Sequence, residues 1–258
     1  MSRIGERFAR LRREGRKAFV AFVTAGDPSL ERTVEVAREL ERAGVDVLEL
    51  GVPFSDPLAD GPVIQRASER ALARGTTLPR VLEAVRRIRA GSELPLLLFS
   101  YVNPLLRFGL SRLAAEARGA GVDGVLVTDL PPEEAGGWLE TARAAGLDTV
   151  FLAAPTSPDE RLRRVAEASR GFVYAISRTG VTGEREALSG DARPLLGRIK
   201  ALTGEPVALG FGISTPEQVA AAASVADGVV VGSALVRFLE EHPDGDVAGQ
   251  VRWLRSAM

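Results

Sequence analysis

The 258-residue sequence has no cysteine, two lysines and one histidine. The missing cysteine excludes disulfides, thiolate metal ligands and cysteine nucleophiles, and it is consistent with a reducing compartment. No apolar run approaches the roughly 20 residues of a membrane span, and the start of the chain lacks the apolar core of a secretory signal. We therefore expect a protein of the cytoplasm without a membrane-spanning segment.

Net charge is also nearly absent. Lysine and arginine total 33, aspartate and glutamate total 34, and the formal net charge is −1. This balance removes any global electrostatic attraction to nucleic acids or membranes. Small molecules and protein partners are the expected ligands.

Short apolar runs rich in β-branched residues recur along the whole chain and predict eight strands. Segments with helical periodicity and mixed charge separate them, and several of these segments end in glycine. The predicted strands cover 18–26, 46–51, 94–101, 124–130, 148–155, 171–177, 206–212 and 227–232.

Strands that are apolar on both faces and alternate with helices predict a parallel sheet. Eight such units in about 250 residues favour an α/β fold of the (β/α)₈ TIM-barrel type. No linker divides the chain, so we expect one catalytic domain over residues 1–258. Ile4, Phe8 and Leu11 have helical spacing and predict an extra N-terminal helix packed on the barrel.

Active sites in such barrels lie at the carboxyl ends of the strands. Because side chains alternate along a strand, Val47 and Glu49 share one face, which we expect to point into the barrel mouth. The same alternation leads us to expect four further residues at this mouth: Phe22 after Val20, Tyr101 after Phe99, Asp129 after Val127, and Tyr174 after Phe172. The alternatives are a Glu49 paired with one of the many arginines and aromatic residues that only fill the core.

Two glycine-containing loops follow the seventh and eighth predicted strands, GFGIS at 210–214 and VGSALV at 231–236. Barrels of this type often bind phosphate at these two positions, where a helix start supplies free N–H groups. A third loop, SRTGVTGE at 177–184, follows the sixth strand. The alternative is ordinary turn formation, with 214–217 serving only as a helix cap.

The scarcity of lysine and histidine narrows the chemistry. Lys17 precedes the first strand and Lys200 lies in a helix, so neither is placed to form a Schiff base in the mouth. His242 alone satisfies neither a zinc site nor an isomerase that uses Lys and His beside Glu. Carboxylates and tyrosines remain, and they indicate general acid–base chemistry on a substrate that contains its own electron sink.

The stretch ELGVPFSDPLADGPVIQ at 49–65 resembles the signature of the tryptophan synthase α-subunit family. The similarity extends through FVTAGDP, SYVNPLLRFG, DLPPEEA, SRTGVTG, GFGIS and VGSALV, in the family's order. It implies a retro-aldol cleavage of indole-3-glycerol phosphate to indole and glyceraldehyde 3-phosphate in tryptophan biosynthesis. It implies no metal and no cofactor on this chain.

The resemblance also implies residue roles. Glu49 is the implied general acid/base, and Asp60 is the implied acceptor for the indole N–H. We expect Glu49 to have a raised pKa in an apolar mouth, and Asp60, in more polar surroundings, to stay ionised. The implied indole pocket contains Phe22, Tyr101, Tyr174 and Asp129, and the implied phosphate site contains Gly183, Phe211, Gly212, Gly232 and Ser233.

A β subunit that carries pyridoxal phosphate is the implied partner, in an α₂β₂ heterotetramer. Loops 53–60 and 178–190 are the implied lids, with Thr182 in the second. The expected partner contacts are Asp56, Pro57, Asn103 and Pro104, for which ordinary solvent exposure is the alternative. Two other functions stay open: another phosphate-binding barrel isomerase or lyase, and a non-catalytic phosphate-ligand module that activates a partner enzyme.

Overall fold

A computed structural model describes residues 2–176, 192–210 and 212–258 of the chain. All strand pairs in it are parallel. The strands are β1 Ala18–Thr24, β2 Val47–Gly51, β3 Leu96–Ser100, β4 Gly124–Val127, β5 Asp148–Val150, β6 Leu152–Ala153, β7 Val173–Ile176, β8 Val207–Gly210 and β9 Gly228–Val231.

The two ends of the sheet, β5 and β6, are joined along the chain by a single residue. The strand order is β5-β4-β3-β2-β1-β9-β8-β7-β6, and only Phe151 separates β5 from β6 along the chain. These two short segments occupy the fifth predicted strand, 148–155, which is broken at Phe151. The α/β barrel prediction is therefore confirmed, with one of its eight strands in two pieces.

Helices surround the barrel, and the extra N-terminal helix is present. The helices are α1 Arg3–Arg13, α2 Leu30–Arg42, α3 Pro62–Ala73, α4 Leu78–Arg89, α5 Val102–Phe108, α6 Leu110–Ala120, α7 Gly136–Ala145, α8 Asp159–Ala168, α9 Ala192–Lys200, α10 Pro216–Ala223, α11 Ser233–Glu241 and α12 Val247–Leu254. Within the described ranges, none of these helices has both the length and the apolar composition needed to cross a bilayer.

Two apolar layers hold the barrel together. The outward faces of the strands pack against α2, α4, α6 and the other surrounding helices. The inward faces form a separate cluster, to which Ile4, Phe8 and Leu11 of α1 add their side chains. Helix α1 therefore plugs the barrel on the face where the strands begin, and each fully buried large side chain contributes roughly 1.5–3 kcal/mol.

Carboxylates stabilise this amino-terminal face. Asp46, Asp123 and Asp227 each accept a hydrogen bond from a backbone N–H in the first two residues of a neighbouring strand, at 2.9, 2.9 and 3.0 Å. Both lysines lie here, because the Nζ atoms of Lys17 and Lys200 are 3.9 and 3.0 Å from the Asp227 carboxylate. The prediction that neither lysine reaches the opposite, carboxyl face is confirmed.

Candidate active site

A cavity opens at the carboxyl ends of the strands, where barrel chemistry is expected. Seven of the residues that the sequence analysis identified line it. These are Phe22, Glu49, Asp60, Tyr174, Gly212, Gly232 and Ser233. The other residues of the lining are Ala59, Ile64, Phe99, Thr128, Ile213 and Val230.

Glu49 lies on β2 and points into this cavity. Its strand neighbours are Phe22 on β1 and Leu97 on β3, both apolar. The residue is 0% exposed, and neither carboxyl oxygen finds a hydrogen-bond partner among the residues that the structure describes. Burial without a partner disfavours the charged form, and it raises the pKa of Glu49 to about 8.

This environment argues against an ordinary structural glutamate. Buried carboxyl groups are normally paired or hydrogen-bonded, because leaving them unsatisfied costs stability. Only four buried side-chain oxygen atoms lack a partner in the described part of the chain, and two of them belong to Glu49. Among the described residues, Glu49 does not pair with an arginine, so that alternative is not supported.

Asp60 is held in place by Tyr101. The Tyr101 hydroxyl donates to Asp60 Oδ2 at 2.9 Å and accepts from the Ala59 N–H at 3.0 Å. Gln65, in the first turn of α3, donates its side-chain amide to the Asp60 carbonyl at 2.8 Å. The aspartate is therefore anchored through both its side chain and its main chain.

Asp60 is more buried than its proline-rich loop suggested, since it is 5% exposed. Burial raises the pKa of Asp60 to about 6, and the hydrogen bond from Tyr101 opposes this rise. Asp60 nevertheless has more polar surroundings than Glu49, because the Tyr101 hydroxyl binds its carboxylate, and the order of the two pKa values is as expected. At pH 7 most molecules carry a protonated Glu49 and an ionised Asp60.

Tyr174 on β7 faces the same space. It is 5% exposed, and its ring centroid lies 6.4 Å from that of Phe172. Burial is the main cause that raises its pKa, and the charges of Glu49 and Asp60 add to the rise. Tyr174 therefore lies close enough to both carboxyl groups to sense their charge.

Glycine makes room for the aromatic wall of the cavity. Phe22 packs edge-on against Phe99 with ring centroids 5.2 Å apart. A Cβ atom on Gly51 would approach the Phe22 ring to 2.6 Å, closer than carbon atoms tolerate. A side chain at residue 51 is therefore incompatible with this position of the Phe22 ring.

The helices α10 and α11 follow the two glycine-containing segments that line the cavity, and their starts differ in one respect. Thr215 and Gln218 form a capping box, in which the Thr215 hydroxyl accepts from the Gln218 N–H and the Gln218 side chain accepts from the Thr215 N–H. Helix α11 begins after Gly232 without any side-chain cap, and Gly232 and Ser233 both line the cavity. The turn interpretation therefore describes residues 214–217, while the start of α11 stays available to an anion.

Asp129 does not join the cavity lining. Val127 packs in the outer layer and Leu126 in the inner cluster, so the alternation on β4 is the reverse of the one we expected. Thr128, the residue that follows β4, reaches the cavity. Asp129 is exposed, and its carboxylate accepts from the Val102 N–H at 2.7 Å, so it caps α5.

The rim of the cavity carries the expected partner residues. Asp56 and Asn103 are exposed, and Pro57 and Pro104 are half-buried. Sequence reasoning missed two large apolar side chains beside them, Leu58 at 86% and Leu106 at 56% exposure. For Leu58, the available signal was an isolated leucine in an otherwise polar, proline-rich loop.

Some expected residues lie outside the described ones, namely Thr182, Gly183, Phe211 and the loop 178–190. Their roles stay predictions. Among the residues that the structure does describe, no group of three or more His, Cys, Asp or Glu has the arrangement of a metal site.

Comparisons with known proteins give the family. The family model described as tryptophan synthase alpha chain matches residues 8–256. A relative of that name from Solibacter usitatus is 57% identical over 244 residues, which is 95% of this chain and 91% of the relative. Another from Citrifermentans bemidjiense is 50% identical over 258 residues and covers 100% of this chain and 97% of the relative.

Solved structures agree. Tryptophan synthase from Mycobacterium tuberculosis superposes with a TM-score of 0.92 at 41% identity, covering 99% of this chain and 98% of that one. A chain of the tryptophan synthase α₂β₂ complex from Pyrococcus furiosus gives 0.87 at 41% identity, covering 93% and 98%. The barrel, the cavity and these matches lead to one conclusion: the chain belongs to the tryptophan synthase alpha chain family, the lyase subunit of that enzyme.

Proposed function

We propose that this chain cleaves indole-3-glycerol phosphate to indole and glyceraldehyde 3-phosphate, with Glu49 as general acid and base. The observation that supports this proposal most strongly is the Glu49 carboxyl group, fully buried and without a partner among the described residues. A pKa of about 8 keeps this group protonated at neutral pH and close enough to the working pH to exchange its proton.

The proton movements follow from that state. Glu49 gives its proton to the ring carbon that carries the glycerol chain, which leaves positive charge on the indole. The resulting carboxylate takes the proton of the side-chain hydroxyl next to that carbon. The carbon–carbon bond then breaks, its electron pair returns to the ring, and the hydroxyl carbon becomes the aldehyde. Glu49 ends the cycle protonated.

Asp60 has the complementary role. At pH 7 it is mainly ionised, so it accepts a hydrogen bond from the indole N–H and stabilises the positive charge that develops on the ring. Tyr101 holds this carboxylate from the outset, which reduces the reorganisation required during the reaction. Phe22 and Tyr174 are the proposed walls of the indole pocket, and Asp129, which lies outside the lining, is proposed to contribute only by capping α5 next to Tyr101.

The start of α11 is the proposed phosphate site. Its uncapped N–H groups and the positive end of the helix dipole favour a dianion at Gly232 and Ser233. Gly212, which has a φ of 79°, turns the chain beside them. Gly183 and Phe211 complete the site in this proposal, and Thr182 belongs to the lid over it.

The rim is proposed to bind a β subunit that carries pyridoxal phosphate, in an α₂β₂ assembly. Asp56, Pro57, Asn103 and Pro104 are the proposed contacts, and the exposed Leu58 and Leu106 supply apolar area for the core of such an interface. Membership in the family assigns the cofactor to the β subunit and none to this chain. We also propose that the protein works in the cytoplasm.

Indole release from indole-3-glycerol phosphate by the isolated chain tests this proposal. We expect slow but measurable formation of indole and glyceraldehyde 3-phosphate in equal amounts, and faster formation when a tryptophan synthase β subunit is added. A chain that binds the substrate yet never releases indole would instead be a phosphate-ligand module that activates its partner. The isomerase alternative lacks the lysine and histidine such enzymes use.

A further inference from the structure

Four charged side chains outside the cavity, Asp27, Arg66, Arg70 and Glu240, connect its two ends. Arg70 of α3 donates Nε and Nη2 to the Asp27 carboxylate, at 2.9 and 2.6 Å. The same guanidinium donates Nη1 to Glu240 of α11, at 2.7 Å. Arg66, one turn earlier on α3, binds both oxygens of Glu240 at 2.9 Å each.

This arrangement differs from an ordinary surface ion pair. The Asp27 side chain is 5% exposed and Arg70 is 30% exposed, so the pair is largely removed from solvent. A planar guanidinium that binds two carboxylates fixes distance and angle between the elements that carry them. Exposed single pairs seldom have this effect, because their side chains stay mobile.

The elements joined by Arg70 carry the two ends of the site. Helix α3 begins two residues after Asp60, and Gln65 binds its first turn to the Asp60 carbonyl. Helix α11 begins at Ser233, where the phosphate is proposed to bind. Apolar contacts also join these helices, but they have no preferred direction and tolerate sliding.

We propose that Arg70 is a positioning residue that sets the spacing between Asp60 and the start of α11. This inference rests on the proposed function, because the spacing matters only for a ligand that places a ring at Asp60 and a phosphate at α11. Such a ligand gains affinity from two sites held at the correct distance, whereas a ligand that reaches one end gains nothing from the spacing.

The dissociation constants of three ligands distinguish this positioning role from general stabilisation of the fold. Indole alone reaches the ring end, inorganic phosphate alone reaches α11, and 3-indolepropanol phosphate, an unreactive analogue, spans both. For Arg70→Met in the full chain, we expect the dissociation constant of the spanning ligand to rise at least about tenfold, while those of the two fragments change by less than about twofold.

Two further variants complete the test. Glu240→Gln weakens the connection to α11 and leaves the buried Asp27 paired, so it keeps the test valid if Arg70→Met does not fold; we expect the same selective loss. Arg87→Met removes an exposed arginine that lies 3.5 Å from Glu31, and we expect it to leave all three ligands unchanged.

Equal weakening of all three ligands in folded variants would show that Arg70 only stabilises the fold, and unchanged binding of the spanning ligand would equally overturn the inference. A wild-type chain that does not bind the spanning ligand would instead overturn the proposed function, and with it this inference, before any variant is compared. The wild-type measurement therefore distinguishes the two failures.

Discussion

Glu49→Gln replaces a fully buried carboxyl group by a neutral amide of nearly the same shape. Burial raises the pKa of Glu49 to about 8 in the folded chain, from an ordinary value of 4.5. Below pH 4.5 the carboxyl is protonated in both the folded and the unfolded chain, so it imposes no penalty. Above pH 4.5 the unfolded chain releases the proton while the folded chain retains it, and the free energy of unfolding falls as the pH rises.

The size of this penalty follows from the same values. Each pH unit between 4.5 and 8 costs about 1.4 kcal/mol, so the wild type loses roughly 3 kcal/mol by pH 7 and roughly 5 kcal/mol above pH 8. No reduction for solvent screening applies, because Glu49 is 0% exposed. Gln does not titrate, so Glu49→Gln is expected to be more stable than the wild type by these amounts.

Urea unfolding at pH 4.5, 7 and 8.5 measures the difference directly. Glu83→Gln, the same change at an exposed position of α4, is the matched control and is expected to stay within about 0.5 kcal/mol of the wild type at every pH. A Glu49→Gln protein that is no more stable than the wild type at pH 7, or that gains equally at pH 4.5, would refute the reasoning.

Three further changes probe the rest of the site. Tyr101→Phe removes the hydrogen bond that lowers the pKa of Asp60, so this pKa should rise above about 6 and the acidic limb of the kcat/KM profile should move to higher pH; an unmoved limb would contradict the proposed contact. Gly232→Val should raise the dissociation constant of inorganic phosphate about tenfold, and it should lower the free energy of unfolding in urea by less than the binding free energy that is lost. Equal losses of the two free energies would indicate that Gly232 is a turn residue only. Leu58→Asp should leave the isolated chain unaltered and weaken β-subunit binding at least about tenfold, whereas Leu202→Asp, a leucine also exposed but outside the rim, should not.

Periodicity predicted the fold well because the strands and helices bury their faces in regular ways. The alternation along β2 correctly predicted that Glu49 faces the cavity, because Val47, two residues earlier on the same face of the strand, packs inside the barrel. The same reasoning failed at the end of β4, where Val127 packs in the outer layer, Thr128 reaches the cavity and Asp129 is exposed. A strand of uniformly apolar residues has no internal signal for which face points inward. One domain over 1–258 stays a prediction.

Other features of the site depend on contacts between distant segments. The burial of Asp60 arises from the fold of its loop over the cavity and from Tyr101, 41 residues away along the chain. The connection of Arg70 to Asp27 and Glu240 spans 43 and 170 residues. Spacing within a motif carries no information about such pairs, so the sequence predicted the chemical groups but not what holds them in place.

The rate of indole formation from indole-3-glycerol phosphate by wild type and Glu49→Gln, each with and without a β subunit, tests the central claim most directly. Because general acid–base groups contribute about 10²–10⁴-fold, we expect Glu49→Gln to lower the rate at least about 100-fold in both conditions, in a protein that is folded and more stable than the wild type at pH 7. A rate within a few-fold of the wild type would contradict the assignment of Glu49 as the general acid and base.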